Sequence, residues 1–280
     1  MSTLAVTGVT GGIGGRVARL LSAAGVEQRL LARDPDRVPD LTGTHPVGIG
    51  SYGNRELVRA ALDGVHTLFM VSGAESADRL DQHRRFIAMA AEVGVQHIVY
   101  TSFLGASPDA TFTLVRDHHA TEQMIMDAGI GHTFLRDSLY ADFLPLMAGE
   151  DRVLRGPAGD GRVSVVARDD VARTAAVVLQ NPAVHLGATY DLTGPEALTF
   201  TEIAAILTEV TGQTHRFHNE TIDEAYASRR RWQAADWQYD AWVSTYTAIA
   251  AGELETVSDA IEQVTGTPPL SLRELLSSGR

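Results

Sequence analysis

Residues 7–14 read Thr7-Gly8-Val9-Thr10-Gly11-Gly12-Ile13-Gly14. They follow the apolar run Leu4-Ala5-Val6 and precede a segment with Ile13, Val17, Leu20 and Leu21 on one helical face. The glycines therefore stand at a strand-to-helix turn, the place from which a chain holds a dinucleotide pyrophosphate. A side chain at Gly8 would strain the turn, one at Gly11 would keep a phosphate off the backbone, and a small residue at Gly14 lets helix and strand approach. The helix start adds free N–H groups and the positive end of its dipole. Gly8, Thr10, Gly11, Gly12 and Ile13 are the candidate cofactor-binding residues of this turn, and an ordinary glycine-rich turn is the bland alternative.

The end of the second strand decides which nucleotide fits, because an acidic side chain there suits a ribose and a basic one a 2′-phosphate. The chain has Arg33-Asp34-Pro35-Asp36-Arg37 at this point. Arg33 and Arg37 can clamp a phosphate between two guanidinium groups, whereas Asp34 offers the competing ribose contact. NADPH is the expected cofactor, with NADH as the alternative.

These residues need a sheet edge to sit on, and the chain alternates strands and helices in the way that builds one. Strands are expected at 4–6, 27–33, 45–49, 65–71, 96–102 and 131–136. Helices are expected after Asn54, which can cap a buried face of Leu57, Val58 and Leu62, over 77–93 and over 112–127. Such alternation implies right-handed crossovers and an α/β, doubly wound parallel sheet. Ser72 and Gly73, after the fourth strand, and Thr101 and Ser102, at the end of the fifth, then fall on the carboxyl edge where ligands lie.

From about residue 150 the rhythm changes, and Gly156-Pro157-Ala158-Gly159-Asp160-Gly161 is a turn-rich break. The expected division is an NAD(P)-binding domain over 1–151 and a smaller, mostly helical lobe over 152–280. Short strands at 163–166 and 188–192 are expected to return to or near the main sheet. The lobe holds Trp232, Trp237 and Trp242, with Tyr239, Trp242 and Tyr246 at helical spacing. They can wall an aromatic substrate or, the blander and favoured reading, pack helices or subunits together. Arg229-Arg230-Arg231 reads as a solvated charge run.

The 280 residues, 44% hydrophobic and 21% charged, are those of a soluble globular chain. With no cysteine, disulfide and thiolate chemistry are excluded, and a net charge of −12 argues against nonspecific nucleic-acid binding. No leader pattern opens the chain and no apolar stretch is long enough to cross a bilayer, so a cytoplasmic protein with no membrane partner is expected. His118 and His119 are adjacent and so face different ways on a helix, and no metal site is expected.

Several stretches together resemble one family. They are 7–14, Ala32-Arg33-Asp34-Pro35-Asp36-Arg37, Tyr100-Thr101-Ser102-Phe103-Leu104-Gly105-Ala106, His118-His119-Ala120-Thr121-Glu122 and Thr133-Phe134-Leu135-Arg136. The chain is similar to the NmrA-like branch of atypical short-chain dehydrogenase/reductases, above all to the NADPH:quinone oxidoreductase type-two enzymes. The likeness is specific over the first 140 residues and loose beyond about 210. It implies a nucleotide-binding domain, a smaller C-terminal lobe with substrate between them, and hydride transfer from NADPH to quinones. The Tyr-x-x-x-Lys pair of ordinary short-chain enzymes is missing: Leu114 and His118 stand in those places. The branch tends to carry Asn-Gly-x-Tyr after the sixth strand, where this chain has Asp137-Ser138-Leu139-Tyr140.

Reducing a quinone leaves a stabilised anion, so a hydrogen-bond donor to the developing oxyanion suffices. His118, Ser102 and Tyr140 are the candidate catalytic residues. An imidazole can deliver a proton near neutral pH, and Glu122, four residues on, can orient or charge His118. The alternatives are a cofactor-positioning or surface role for His118 and a backbone-bonding role for Ser102. The expected function is NAD(P)H-dependent reduction of a quinone or polycyclic aromatic carbonyl, possible in natural-product tailoring, by a monomer or homodimer. A cofactor-binding redox sensor without turnover and an oxygenase acting on an aromatic substrate are the competing classes.

Overall fold

The structure, a computed structural model, describes residues 4–278. Strand β1 (Leu4–Val6) leads through the glycine turn into helix α1 (Gly12–Ala23), followed by β2 (Gln28–Ala32), β3 (Thr44–Gly48) and α2 (Arg55–Leu62). Next come β4 (Thr67–Met70), α3 (Arg79–Glu92), β5 (His97–Phe103), α4 (Thr113–Asp127) and β6 (Gly131–Asp137). Then follow α5 (Leu144–Met147), β7 (Val153–Gly156), β8 (Arg162–Val163), α6 (Arg168–Gln180), β9 (Thr189–Leu192), β10 (Leu198–Thr199) and α7 (Phe200–Thr211). The chain closes with β11 (Arg216–Asn219), α8 (Ile222–Arg229), α9 (Asp236–Ala250), α10 (Ala260–Thr265) and α11 (Leu272–Ser277).

Seven strands form one parallel sheet in the order β3-β2-β1-β4-β5-β6-β9. The order reverses at β1, which pairs with β2 on one side and β4 on the other. Loops leaving β1 and β4 therefore diverge to open a crevice at the carboxyl edge, the switch point where such sheets bind nucleotides. Central strands have no solvent face, so His97–Ser102 of β5 are all buried.

Periodicity explains the helices, with two adjustments. In α1 the buried stripe runs Ile13–Val17–Leu21 with Gly14 and Ala18 beside it. Leu20 lies past its edge and emerges into solvent. In α2 the Asn54 side chain accepts from Leu57 N at 3.2 Å, which starts the helix as expected. The cap itself occupies the Leu57 turn, and the buried face is Val58, Ala61 and Leu62, with Leu57 exposed.

The chain forms two compact units that exchange segments. One runs to Ser102 and adds Asp117–Arg136 and Val171–Tyr190; the other takes Phe103–Arg116, Asp137–Asp170 and the chain from Asp191 on. The division is thus not a single cut at residue 151. Single elements supply more than one core: in β5 Tyr100 belongs to one and Phe103 packs against the other, and in α4 Ile125 belongs to the first while Val115 joins a third, smaller cluster. The first core packs Leu31, Leu68, Met70, Phe86, Ile98 and Phe134, and the second is built on Leu154, Phe200, Ile203, Leu207 and Ile249.

The 163–166 stretch is a regular strand only at Arg162–Val163. It pairs antiparallel with β10 rather than with the main sheet, while β9 forms that sheet's edge beside β6. A parallel pair of β7 and β11 completes the second unit's strands. Arg229 is not solvated: it is buried, donates to Glu220 at 2.7 Å and lies over the Tyr246 ring. Tyr246 itself packs on Phe200 in the core, so only Trp232, Tyr239 and Trp242 remain grouped, edge to face at 5.8 Å. Among the described residues, no helix is long and apolar enough to cross a membrane, and no group of three or more His, Asp or Glu is placed to hold a metal ion.

Within the glycine turn the closest approach is at Gly14, where a Cβ would stand 2.3 Å from Thr7 O. Gly14→Ala is expected to lower stability by about 3 kcal/mol in urea denaturation, since backbone must move. Gly64→Ala, with a φ of +71° but open space around it, is expected to cost only about 1 kcal/mol. Equal losses would remove the close approach as the cause.

Candidate active site

The glycine turn keeps side chains away from its backbone. Gly8 has a φ of +65°, and a Cβ there would meet Val71 Cβ at 2.9 Å. Gly11 N donates to Gly8 O at 2.8 Å and closes the turn. Thr10 and Gly11 are exposed, Gly12 half-buried, and Ile13 buries its side chain in the core. Helix α1 begins at Gly11 with no side-chain cap on its first turn. A bare helix start beside a glycine whose missing Cβ keeps the surface open fits a dinucleotide pyrophosphate. Thr7 ties the turn to the neighbouring strand: its Oγ1 donates to Phe69 O at 3.2 Å and accepts from Val71 N at 2.8 Å. Tyr52 Oη lies 2.7 Å from both Thr7 Oγ1 and Val71 O.

Beyond β2, Arg33 and Arg37 are both exposed. Asp34 Oδ1 accepts from Asp36 N at 3.1 Å and caps the short turn Pro35–Arg37. One oxygen of Asp34, the acidic competitor for the ribose at this strand end, is thereby engaged in holding the turn that carries Arg37.

Ser72 and Gly73, after β4, do not offer their amides to a ligand. Ser72 N donates to Thr101 Oγ1 at 2.8 Å, and Gly73 N donates to His83 Nε2 at 2.9 Å. His83 Nδ1 then faces Thr121 Oγ1 at 2.9 Å, whose own proton goes to Asp117 O. Because Nε2 accepts, the His83 proton sits on Nδ1. Burial, with Arg79 nearby, pushes His83 down to about 3, so it is a neutral strut.

His118 is held in the same network. Arg79 hydrogen-bonds Ser72 Oγ and donates to His118 Nε2 at 3.0 Å. Tyr100 Oη lies 3.1 Å from His118 Nδ1. A guanidinium only donates, so Nε2 is bare and the proton is on Nδ1. Burial, then the Arg79 charge and any charging of neighbouring His83, hold His118 well below the ordinary histidine range; a hydrogen bond with the Thr101 backbone works the other way. The ring is therefore a neutral imidazole, not the imidazolium expected to deliver a proton. Glu122 does not orient it. Its carboxylate accepts from Arg136 Nε and Nη2 at 2.9 and 2.6 Å and from Ser102 Oγ at 2.6 Å. Ser102, buried, has thus committed its single proton to Glu122 and has none for an oxyanion.

In the second unit, Tyr140 is half-buried and its Oη is hydrogen-bonded with Asp137 Oδ2 at 2.7 Å. Burial pushes Asp137 up to about 8. Burial and the adjacent carboxyl also raise the Tyr140 phenol. Phe143 is exposed beside it, and the Arg168 guanidinium covers both rings, 3.8 Å from the Phe143 centroid and 5.4 Å from that of Tyr140.

Arg79 and His83 escaped the reading of residues alone. Their signal is visible in hindsight: Arg79, His83, Ile87 and Ala90 follow helical spacing, so two polar side chains share the buried face of α3. A polar pair on such a face needs internal partners.

Residues 8–182 match the model of the NAD(P)H-binding family. Over nearly its whole length the chain is similar to quinone oxidoreductase 2 of Escherichia coli, with 31% identity over 98% of this chain and 97% of that protein. The NADPH complex of that enzyme superposes with a TM-score of 0.90 over 98% of this chain and 99% of the other. The NAD(P)H azoreductase of Xenophilus azovorans is 29% identical over 96% of this chain and 95% of its own. The Citrobacter sp. triphenylmethane reductase complexed with NADP(H) is 30% identical, with a TM-score of 0.86 over the full length of both chains. The chain belongs to the NAD(P)H-binding family and is an NAD(P)H-dependent oxidoreductase.

Proposed function

We propose that the protein reduces quinones or closely related flat aromatic acceptors, with NADPH preferred over NADH. The observation that carries this reading is His118. It stands where ordinary short-chain enzymes have their lysine, Leu114 stands where they have the tyrosine, and the imidazole is neutral with both nitrogens engaged by Arg79 and Tyr100. Helix α4 therefore supplies no strong acid. An isolated ketone, whose reduction generates a basic alkoxide, needs one; a quinone, whose reduced form is a delocalised phenolate, does not. The similar Escherichia coli protein is named for quinone reduction, which supports the same substrate class.

Bound cofactor supplies the hydride. The backbone of Gly8, Thr10, Gly11, Gly12 and Ile13 would hold its pyrophosphate, and Arg33 and Arg37 a 2′-phosphate. The side chains of Ser72 and Thr101 shape the edge rather than bind it, since Arg79 and the Ser72 amide occupy them. Tyr140 is the hydrogen-bond donor to the substrate oxygen. Phe143, exposed next to it under the Arg168 guanidinium, offers a ring face against which an aromatic acceptor can lie. His118 is a positioning residue: through Arg79 it fixes Ser72, and so the loop after β4.

The direct test is anaerobic NADPH oxidation followed by absorbance, with a naphthoquinone and a polycyclic quinone as acceptors and NADH in parallel. Turnover with NADPH favoured is expected. Tight cofactor binding without turnover of any acceptor would overturn the reading in favour of a sensor. Replacing Arg33 and Arg37 together by alanine is expected to raise the KM for NADPH roughly 10- to 100-fold, the worth of one or two charge-assisted hydrogen bonds, and to leave that for NADH within about twofold. An equal change for both nucleotides would exclude a 2′-phosphate clamp. For His118→Ala, denaturation should show a loss of about 1–3 kcal/mol, because buried Arg79 loses an acceptor. The pH–rate profile of the unaltered protein should carry no histidine inflection between pH 6 and 7. Such an inflection, abolished by His118→Ala, would restore the imidazole as proton donor.

A further inference from the structure

Asp137 ends β6 and is 2% exposed. Its Oδ2 lies 2.7 Å from Tyr140 Oη, and its Oδ1 has no hydrogen-bond partner among the described residues. The cation beside this pair, Arg168, lies against the faces of the Tyr140 and Phe143 rings, not on the carboxyl. Asp142, a further charged group near Tyr140, accepts from the Arg168 backbone N–H at 2.9 Å. An ionised carboxylate in this setting would be buried with one neutral donor and one bare oxygen, which is strongly unfavourable. The group therefore keeps its proton at neutral pH.

The protonation state decides which way the hydrogen bond runs. A carboxylate would hold the phenol's proton to itself and leave Tyr140 nothing to give. A carboxylic acid can donate through Oδ2 to Tyr140 Oη, and the phenol O–H is then free for another acceptor.

We propose that Asp137 is the proton reservoir of the reduction: it stands behind Tyr140 as a carboxylic acid and re-protonates the phenol as the phenol protonates the substrate oxygen. This rests on the reading of Tyr140 as donor in hydride transfer to a quinone-type acceptor. The substrate gains the hydride with its two electrons and one proton on oxygen. The Tyr140 O–H bond breaks as the new substrate O–H bond forms, and Asp137 Oδ2–H breaks as Tyr140 O–H re-forms. The carboxylate left behind takes a proton from water, so one NAD(P)H and one proton are consumed per acceptor reduced. Asp137 acts through Tyr140 and is a positioning residue in that sense.

Two measurements test it. In the cofactor-free protein, infrared difference spectra between unaltered protein and Asp137→Asn should show a protonated carboxyl stretch at pH 7. That stretch should disappear on raising the pH through about 8. In turnover, the rate of the unaltered protein should fall tenfold per pH unit over the same alkaline range, because the protonated form is the active one. Asp137→Asn should be about 100-fold slower with that limb absent, Tyr140→Phe should match it, and the double variant should be no slower than either. An ionised Asp137 at pH 7, or an Asp137→Asn enzyme that keeps the alkaline limb, overturns the proposal. The infrared result needs no substrate: if no acceptor is reduced, the functional reading fails on its own, and a carboxylate band still overturns, while an acid band still supports, the reservoir.

Discussion

A methyl group cannot be placed on residue 14. The first helix approaches the first strand so closely that a Cβ there would stand 2.3 Å from Thr7 O. That contact brings the open start of α1 to the sheet edge, where its N–H groups face outward. It also leaves the Thr7 side chain directed at β4, whose Val71 N it receives, and Val71 in turn closes over Gly8. From Val71 the backbone runs straight into Ser72 and Gly73, and their amides are fixed by Thr101 and His83. The glycine turn and the loop after the fourth strand are thus one hydrogen-bonded structure, and His118 joins it through Arg79.

Buried polar groups are stabilised in three different ways. Glu122 meets a bidentate guanidinium and a hydroxyl, a geometry that supports a charged carboxylate away from water. His83 and His118 are kept neutral by burial and by nearby Arg79, and each bridges a donor to an acceptor. Asp137 is as buried as Glu122 but finds only a phenol. Its charge is therefore the costly form, and the acid the stable one. Two carboxyl groups with the same exposure differ in their partners: one meets a guanidinium, the other only a phenol.

This distribution explains why the chemistry departs from the Tyr-x-x-x-Lys pattern. A lysine at position 118 would tune a nearby tyrosine as an acid. A histidine there, pinned by a guanidinium, instead stiffens the edge of the sheet. Three residues past the end of β6, Tyr140 sits beside an exposed phenylalanine.

Much was legible without the fold. Glycine spacing after the first apolar run, the strand–helix alternation and the paired arginines after the second strand are local signals. Each records a backbone or charge requirement that neighbours in sequence satisfy, so the parallel sheet and most helix starts could be read directly, and the nucleotide end was expected from the same signals. Partnerships across the chain could not. That Glu122 pairs with Arg136 rather than His118, that Ser102 spends its proton on Glu122, that Arg229 is buried on Glu220, and that β8 leaves the main sheet for β10 all depend on residues brought together from distant segments. The same holds for Asp137. Its residue type marked it as a departure, but only burial, with one oxygen on Tyr140 and the other bare, makes it an acid. A side chain's protonation state belongs to its surroundings, and the surroundings exist only once the chain has folded.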